Sequence, residues 1–280
     1  MNIAVIGGGR MGAGIAQVFL AAGATVTVQE PEAEAAHARI AKGLRIAEAK
    51  AREAASPRAF SADEALGRLT MGLVPEDVDL VVEAVPEDPK VKVEVLAEAE
   101  GRAGPRAVLA SNTSSLSITE LAAGLARPGR LIGMHFFNPV PVQRLVEIVV
   151  TAETEPGVQE RAKDWVEVIG KTGVVVNDSP GFASSRLGVL LGLEAMRMVE
   201  EGVAAPEDID TAMELGYRHP MGPIKLGDLV GLDVRLAIAE YLHGKLGARF
   251  EPPKILRDKV AAGELGRKTG KGFYRWEQEQ

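Results

Sequence analysis

A chain of 280 residues, 46% apolar and 25% charged, can bury two modest cores or one large one. A formal net charge of −7 argues against a general nucleic-acid binder while leaving room for a local basic site; with no cysteine, disulfides, thiolate catalysis and cysteine-based metal sites are excluded. No apolar run approaches the ~18 residues of a membrane-spanning helix, the first strand is expected to start at Asn2 with no leader before it, and the expected location is cytoplasmic.

The opening segment NIAVIGGGRMGAGIAQVFLAAGATVTVQEP reads as strand, helix, strand. Asn2 to Ile6 form a short buried strand, Ala13 to Ala22 a helix ended by Gly23, and ATVTVQE a second strand. Gly7, Gly9 and Gly12 stand as G-x-G-x-x-G where the first strand ends. In such a turn the first glycine permits the bend, the second lets a pyrophosphate approach the backbone, and the third packs helix on strand. The helix start adds unpaired N–H groups and a partial positive charge. Glu30 lies 18 residues after Gly12, where a carboxylate accepts hydrogen bonds from a ribose diol and repels a 2′-phosphate. A dinucleotide site preferring NAD to NADP is expected. The plainer alternatives are a glycine-rich turn and a solvated acid.

Residues 32 to 55 are rich in alanine, contain one glycine and no proline, and read as a long helix. Arg39, Lys42, Arg45, Lys50, Arg52 and Arg58 in or just after it form a basic island, opposed only by Glu48 and Glu53. It is either a solvated helix face or a landing site for a phosphorylated substrate tail. DLVVEAVPED reads as a buried strand over Asp79 to Ala84, and RAVLASNTSSLSITEL as a strand over Ala107 to Ser111, a polar turn and a helix. Ser111 to Ser115 put five small polar side chains at a strand's carboxyl end, the edge where open parallel sheets bind ligands. Ser117 with Glu120 is a capping-box pattern, so some of this polar run serves as caps and turns.

RLIGMH reads as a further strand, NPVPV as a proline-stiffened turn, and RLVEIVV as a strand running back beside the first. Glu147, 12 residues after His135, would then come alongside the imidazole. A carboxylate there fixes the tautomer and stabilises the imidazolium. A neutral histidine, with a reference pKa of ~6.5, suits removal of a hydroxyl proton while hydride leaves the carbinol carbon. A core histidine satisfied by a backbone carbonyl is the alternative, and spacing alone does not choose.

KTGVVVNDSPGF reads as a last strand and a stop, placing a boundary at Asp178 to Gly181. The expected organisation is a Rossmann-type, mostly parallel α/β sheet domain over 1–180 followed by an all-α domain over 181–280. ASSRLGVLLGLEAMRMVEEG, APEDIDTAMELG and GLDVRLAIAEYLHGKLG read as its helices, and the tail is expected to fray past Trp276. Leu187, Leu190, Leu191, Ala195, Met198 and Val199 recur at helical spacing, as core or as a subunit interface. His37, His219 and His243 read as structural or exposed, and no group has convincing metal-ligand spacing.

SNTSSL, GMHFFNPVP, LVEIV, DSPGF, MGP, GLD and GRKTGKGFY, in this order along essentially the whole chain, resemble the 3-hydroxyacyl-CoA dehydrogenase family. The resemblance implies an enzyme that uses NAD to oxidise an (S)-3-hydroxyacyl-CoA to a 3-ketoacyl-CoA, reversibly, as in fatty-acid β-oxidation. His135 matches the family's base, Glu147 its partner acid, and Ser114 the serine near the substrate hydroxyl. Asn138 matches the asparagine at the nicotinamide end, and Glu87, Lys92 and Lys268 match cofactor-side contacts; without the resemblance these three would read as surface charge. Ser185 departs from the family's usual asparagine near the thioester, offering one donor where an amide offers two and an acceptor. The family also implies a homodimer through the helical domain. Two other readings stay open: a dehydrogenase of a free hydroxy or sugar acid on the same fold, and a non-catalytic NADH-binding sensor or structural protein.

Overall fold

The computed structural model describes residues 1–54 and 59–277, so Arg58 and the end of the tail lie outside the described residues. The chain divides into two units, Met1–Ser179 and Pro180–Gln280.

The first unit is a sheet wrapped by helices. Its elements are β1 (Asn2–Ile6), α1 (Arg10–Ala21), β2 (Thr25–Gln29), α2 (Ala33–Glu53), α3 (Ala62–Leu66), β3 (Leu69–Met71), β4 (Leu80–Glu83), α4 (Pro89–Arg102), β5 (Val108–Ser111), α5 (Ile118–Ala122), β6 (Leu131–Phe136), β7 (Leu145–Val150), α6 (Pro156–Val168) and β8 (Thr172–Asn177). The eight strands lie in the order β3-β2-β1-β4-β5-β6-β7-β8. The first six are parallel, β7 turns antiparallel to β6, and β8 follows β7 in parallel. The order reverses between β1 and β4, and that switch point is where an open α/β sheet leaves a crevice for a ligand.

Continuous apolar strands are what such a sheet demands, because helices cover both faces. Val5, Val26, Val28, Leu80, Val82, Ile132 and Met134 are sealed into one core with Phe19 and Leu20 of α1 and Ile40 and Leu44 of α2. Each such side chain contributes about 1.5–3 kcal/mol on burial. α2 meets this core through Ala36, Ile40 and Leu44, one residue per turn, which leaves most of its charged residues outside. α4 begins where Asp88 accepts hydrogen bonds from the N–H groups of Lys90 (2.8 Å) and Val91 (3.1 Å), with Pro89 in the first turn. Ser117 caps α5 by accepting from the Glu120 N–H at 3.2 Å.

One boundary differs from expectation. α1 starts at Arg10 rather than Ala13, because Gly9 is its N-cap and Gly12 already lies in the helix.

The second unit is helical: α7 (Ser184–Glu200), α8 (Pro206–Tyr217), α9 (Pro223–Val230), α10 (Leu232–Leu246) and α11 (Lys254–Ala261). Val189, Leu193 and Met196 of α7 pack on Leu232, Ala239 and Leu242 of α10. Two buried carboxylates organise the rest. Asp210 accepts from the Ile224 and Lys225 N–H groups, each at 2.8 Å, and from the Tyr274 hydroxyl at 2.7 Å. Asp228, fully buried, accepts from the Phe273 N–H at 3.0 Å and from the Tyr274 N–H and Trp276 Nε1, both at 2.9 Å. A Cβ on Gly272 would lie 2.3 Å from an Asp228 carboxylate oxygen, so only glycine fits there.

Of the apolar positions noted on α7, Ala195 is buried, and Leu190, Met198 and Val199 pack against the cores. Leu187 and Leu191 stay exposed, at 68% and 36%. Among the described residues no helix is long and apolar enough to cross a membrane.

Candidate active site

The glycine turn sits at the carboxyl end of β1, at the switch point, and its glycines answer to different constraints. Gly7 has φ +97, and a Cβ there would lie 2.7 Å from the Ala84 carbonyl oxygen at the end of β4. A Cβ on Gly12 would lie 1.8 Å from the Gly7 carbonyl oxygen. Gly9 differs, because a Cβ there would meet nothing within 4 Å. No protein contact requires glycine at that position, and the space beside it is open to a ligand. α1 has neither a side-chain cap nor an acid in its first turn, so its leading N–H groups face that space with the helix's positive end. Glu30 reaches over from the end of β2, and its carboxylate accepts from the Gly8 N–H at 2.6 Å. Turn, open N–H groups and carboxylate together fit a dinucleotide.

The basic island is partly engaged within the protein. Arg39 donates to the Gly8 carbonyl, Arg45 pairs with Asp63 at 3.5 Å, and Arg52 with Glu48 at 2.8 Å.

His135 and Glu147 are direct partners in the antiparallel β6–β7 ladder. Opposed residues project to the same face, and Nδ1 of His135 lies 2.8 Å from a Glu147 carboxylate oxygen. The histidine is 6% exposed and the glutamate 1%. The imidazole also packs against the Phe137 ring, centroids 4.3 Å apart. With Nδ1 turned to the carboxylate as a donor, Nε2 is left as the basic nitrogen.

Two residues with no assigned role in the sequence hold this region. The Asn112 side chain accepts from the Phe136 N–H at 2.9 Å, tying the loop after β5 to the strand that bears the histidine. Lys171 donates to the Val140 and Gln143 carbonyls, both at 2.6 Å, and so pins the loop that carries Asn138. Burial lowers its pKa. Asn138 is exposed on that loop, and Val140 packs into the gap left by Gly14 of α1. Loop and nucleotide helix are thus in contact.

A charged network runs beneath the loops after β4 and β5. Glu83 and Lys92 are buried and paired at 2.7 Å. Glu83 also accepts from the Ser111 hydroxyl (2.6 Å) and the Val85 N–H (2.7 Å). Lys92 reaches Glu87 at 3.2 Å. Glu87 in turn accepts from the Thr113 hydroxyl at 2.5 Å and the Ser114 N–H at 3.0 Å. Glu87 and Ser114 keep surface, but Lys92 lies below it, its ammonium directed to Glu83, Glu87 and the Val85 carbonyl. Lys92 therefore holds Glu87 rather than presenting its own charge outward.

Ser185 and Lys268 belong to the second unit. Ser185 is half-buried in the first turn of α7, and Lys268 pairs with Asp233 at 2.6 Å.

The family models account for nearly the whole chain. The NAD-binding domain of 3-hydroxyacyl-CoA dehydrogenase matches residues 2–179, and the C-terminal domain of the same enzymes matches residues 181–276. A probable 3-hydroxybutyryl-CoA dehydrogenase of Bacillus subtilis is 42% identical over 281 residues, covering 99% of this chain and 98% of that protein. A mitochondrial hydroxyacyl-coenzyme A dehydrogenase of Sus scrofa is 41% identical, covering 98% and 91%. The crystal structure of FadB2 from Mycobacterium tuberculosis superposes with a TM-score of 0.90 at 43% identity, covering 98% of each chain. Fold and cofactor domain define an NAD-dependent oxidoreductase. The chain belongs to the 3-hydroxyacyl-CoA dehydrogenase family.

Proposed function

We propose that the protein oxidises (S)-3-hydroxyacyl-CoA to 3-ketoacyl-CoA, reversibly, as a step in fatty acyl-CoA breakdown. The observation that carries this reading is the His135–Glu147 pair, a buried imidazole backed by a carboxylate at 2.8 Å on two strands whose connecting loop packs on the nucleotide helix. NAD, when bound, supplies the acceptor for the hydride. His135 takes the substrate hydroxyl proton at Nε2. Glu147 fixes the other nitrogen as a donor and stabilises the imidazolium that results. Ser114 orients the hydroxyl.

Gly7, Gly9 and Gly12 receive the pyrophosphate, and Glu30 receives the ribose diol. Asn138 serves the nicotinamide end, while Glu87, ordered by Lys92, serves the cofactor side. The family resemblance assigns Lys268 a further cofactor contact and Ser185 a place near the thioester. The names of the relatives, a 3-hydroxybutyryl-CoA and a hydroxyacyl-coenzyme A dehydrogenase, support the acyl-CoA substrate.

The test is NADH absorbance after mixing protein, NAD and 3-hydroxybutyryl-CoA. No signal with any acyl length would defeat the reading. Free coenzyme A should compete with the substrate; a free hydroxy acid turned over without such competition would favour that alternative.

The homodimer is part of the same proposal, supported by exposed Leu187 and Leu191 on α7. A monomeric mass by light scattering at micromolar concentration would count against it. So is a cytoplasmic location, which fractionation tests.

A further inference from the structure

The loop between β6 and β7 has little apolar anchorage. Of residues 138–144 only Val140 is buried, in the gap left by Gly14 of α1. A turn forms within the loop, where the Pro139 carbonyl accepts from the Val142 and Gln143 N–H groups, both at 3.0 Å. The carbonyls of Val140 and Gln143 converge on one ammonium, that of Lys171, at 2.6 Å each.

Lys171 is itself firmly held. Its N–H donates to the Val166 carbonyl of α6 at 3.0 Å, and the Thr172 N–H donates to the Arg144 carbonyl at 2.7 Å, where β8 begins its pairing with β7. From this fixed backbone the half-buried side chain crosses to the loop. Burial lowers its pKa, so the ammonium has exchanged water for these two carbonyls. Hydrogen bonds from a charged donor are stronger than neutral ones, and here they replace the burial that the loop lacks.

The sheet order fixes which half of the dinucleotide this loop serves. Glu30, at the end of β2 on one flank of β1, marks the adenosine side. β4, β5 and β6 follow in turn on the other flank. A dinucleotide with its pyrophosphate at the glycine turn therefore extends its nicotinamide half toward the loop after β6. We propose that Lys171 is a positioning residue: by holding Val140 and Gln143 it keeps the loop docked on α1, and the docked loop fixes the nicotinamide end of the cofactor. The adenosine half is bound without it.

The inference needs NAD binding, and only its turnover arm rests on the acyl-CoA reading above. The test compares the full wild-type chain with Lys171→Met, which keeps the apolar stem and removes the charge, and with Lys171→Arg, which restores a charged donor. In Lys171→Met, kcat with 3-hydroxybutyryl-CoA should fall about tenfold or more, as misplacement of a reacting group does. The fluorescence of bound NADH should move toward that of the free cofactor. Affinity for ADP-ribose, which has the pyrophosphate and adenosine but no nicotinamide, should stay within about twofold, because the groups that hold those parts are distant and separate. Lys171→Arg should return turnover and fluorescence most of the way to wild type.

Unchanged kcat and unchanged NADH fluorescence in Lys171→Met overturn the inference. So do parallel losses toward NADH and ADP-ribose, which would give the lysine to the fold as a whole. A Lys171→Arg protein as impaired as Lys171→Met also overturns it, because charge would then not be what holds the loop. If Lys171→Met fails to fold, Lys171→Gln, which keeps a neutral donor, is measured against the same criteria. If the wild-type protein binds NADH but turns over no acyl-CoA, the proposed function fails, and the fluorescence and ADP-ribose measurements still decide this inference.

Discussion

Glu83 and Lys92 form an ion pair of 2.7 Å with both side chains closed off from solvent. The pair lies under the loops bearing Glu87 and Ser114 and connects to both. Removing one member of such a pair leaves a buried charge unmatched, which costs about 3–5 kcal/mol. Lys92→Met should therefore lower the urea midpoint by that equivalent, and weaken NAD binding through disordered Glu87. A loss under ~1 kcal/mol would show that water relieves Glu83 and that the network is not a support.

Gly9 and Gly12, on either side of the start of α1, should respond oppositely to alanine. Gly12→Ala drives a methyl into the Gly7 carbonyl and should destabilise the protein by about 1–3 kcal/mol or more. Gly9→Ala has open space and should melt like wild type while binding NAD far more weakly in calorimetry. Normal NAD affinity in Gly9→Ala would mean that the cofactor does not approach this turn.

His135→Gln and Glu147→Gln should each reduce kcat, the histidine variant by about 10²–10⁴-fold, the range of general-base catalysis. NAD affinity, measured separately, should change little. Parallel losses of turnover and cofactor binding would instead assign the pair to folding.

Tyr274 gives a pH dependence with a definite sign. Its phenol is held well above the ordinary value of 10.0, first by burial, then by its hydrogen bond to Asp210 and the negative charges of Asp210, Glu207 and Asp228. A raised folded-state pKa means that the stabilisation is complete below about pH 10 and is lost progressively above it. Chemical denaturation should show stability falling from pH 10 upward, and Tyr274→Phe should flatten that fall. An equal slope in both proteins would place the alkaline loss elsewhere.

Much of this was legible because it is local or periodic. The glycine motif announces β1 and α1, and a prolyl turn between two apolar runs brings His135 opposite Glu147. Other features are hidden for physical reasons. KVKVEVL in α4 alternates apolar and charged residues like a strand; the Asp88 cap and Pro89 make it a helix. β3 is three residues long and has too little pattern to see. Glu83 and Lys92 look like a strand-end acid and a surface lysine until β4, α4 and β5 are packed.

The segment from Gly266 to Trp276 wraps a carboxylate that belongs to α9. The interior of the helical unit is thus finished by residues synthesised after all of its α-helices. Any truncation that removes Phe273 to Trp276 therefore strips an interior acid of these three donors.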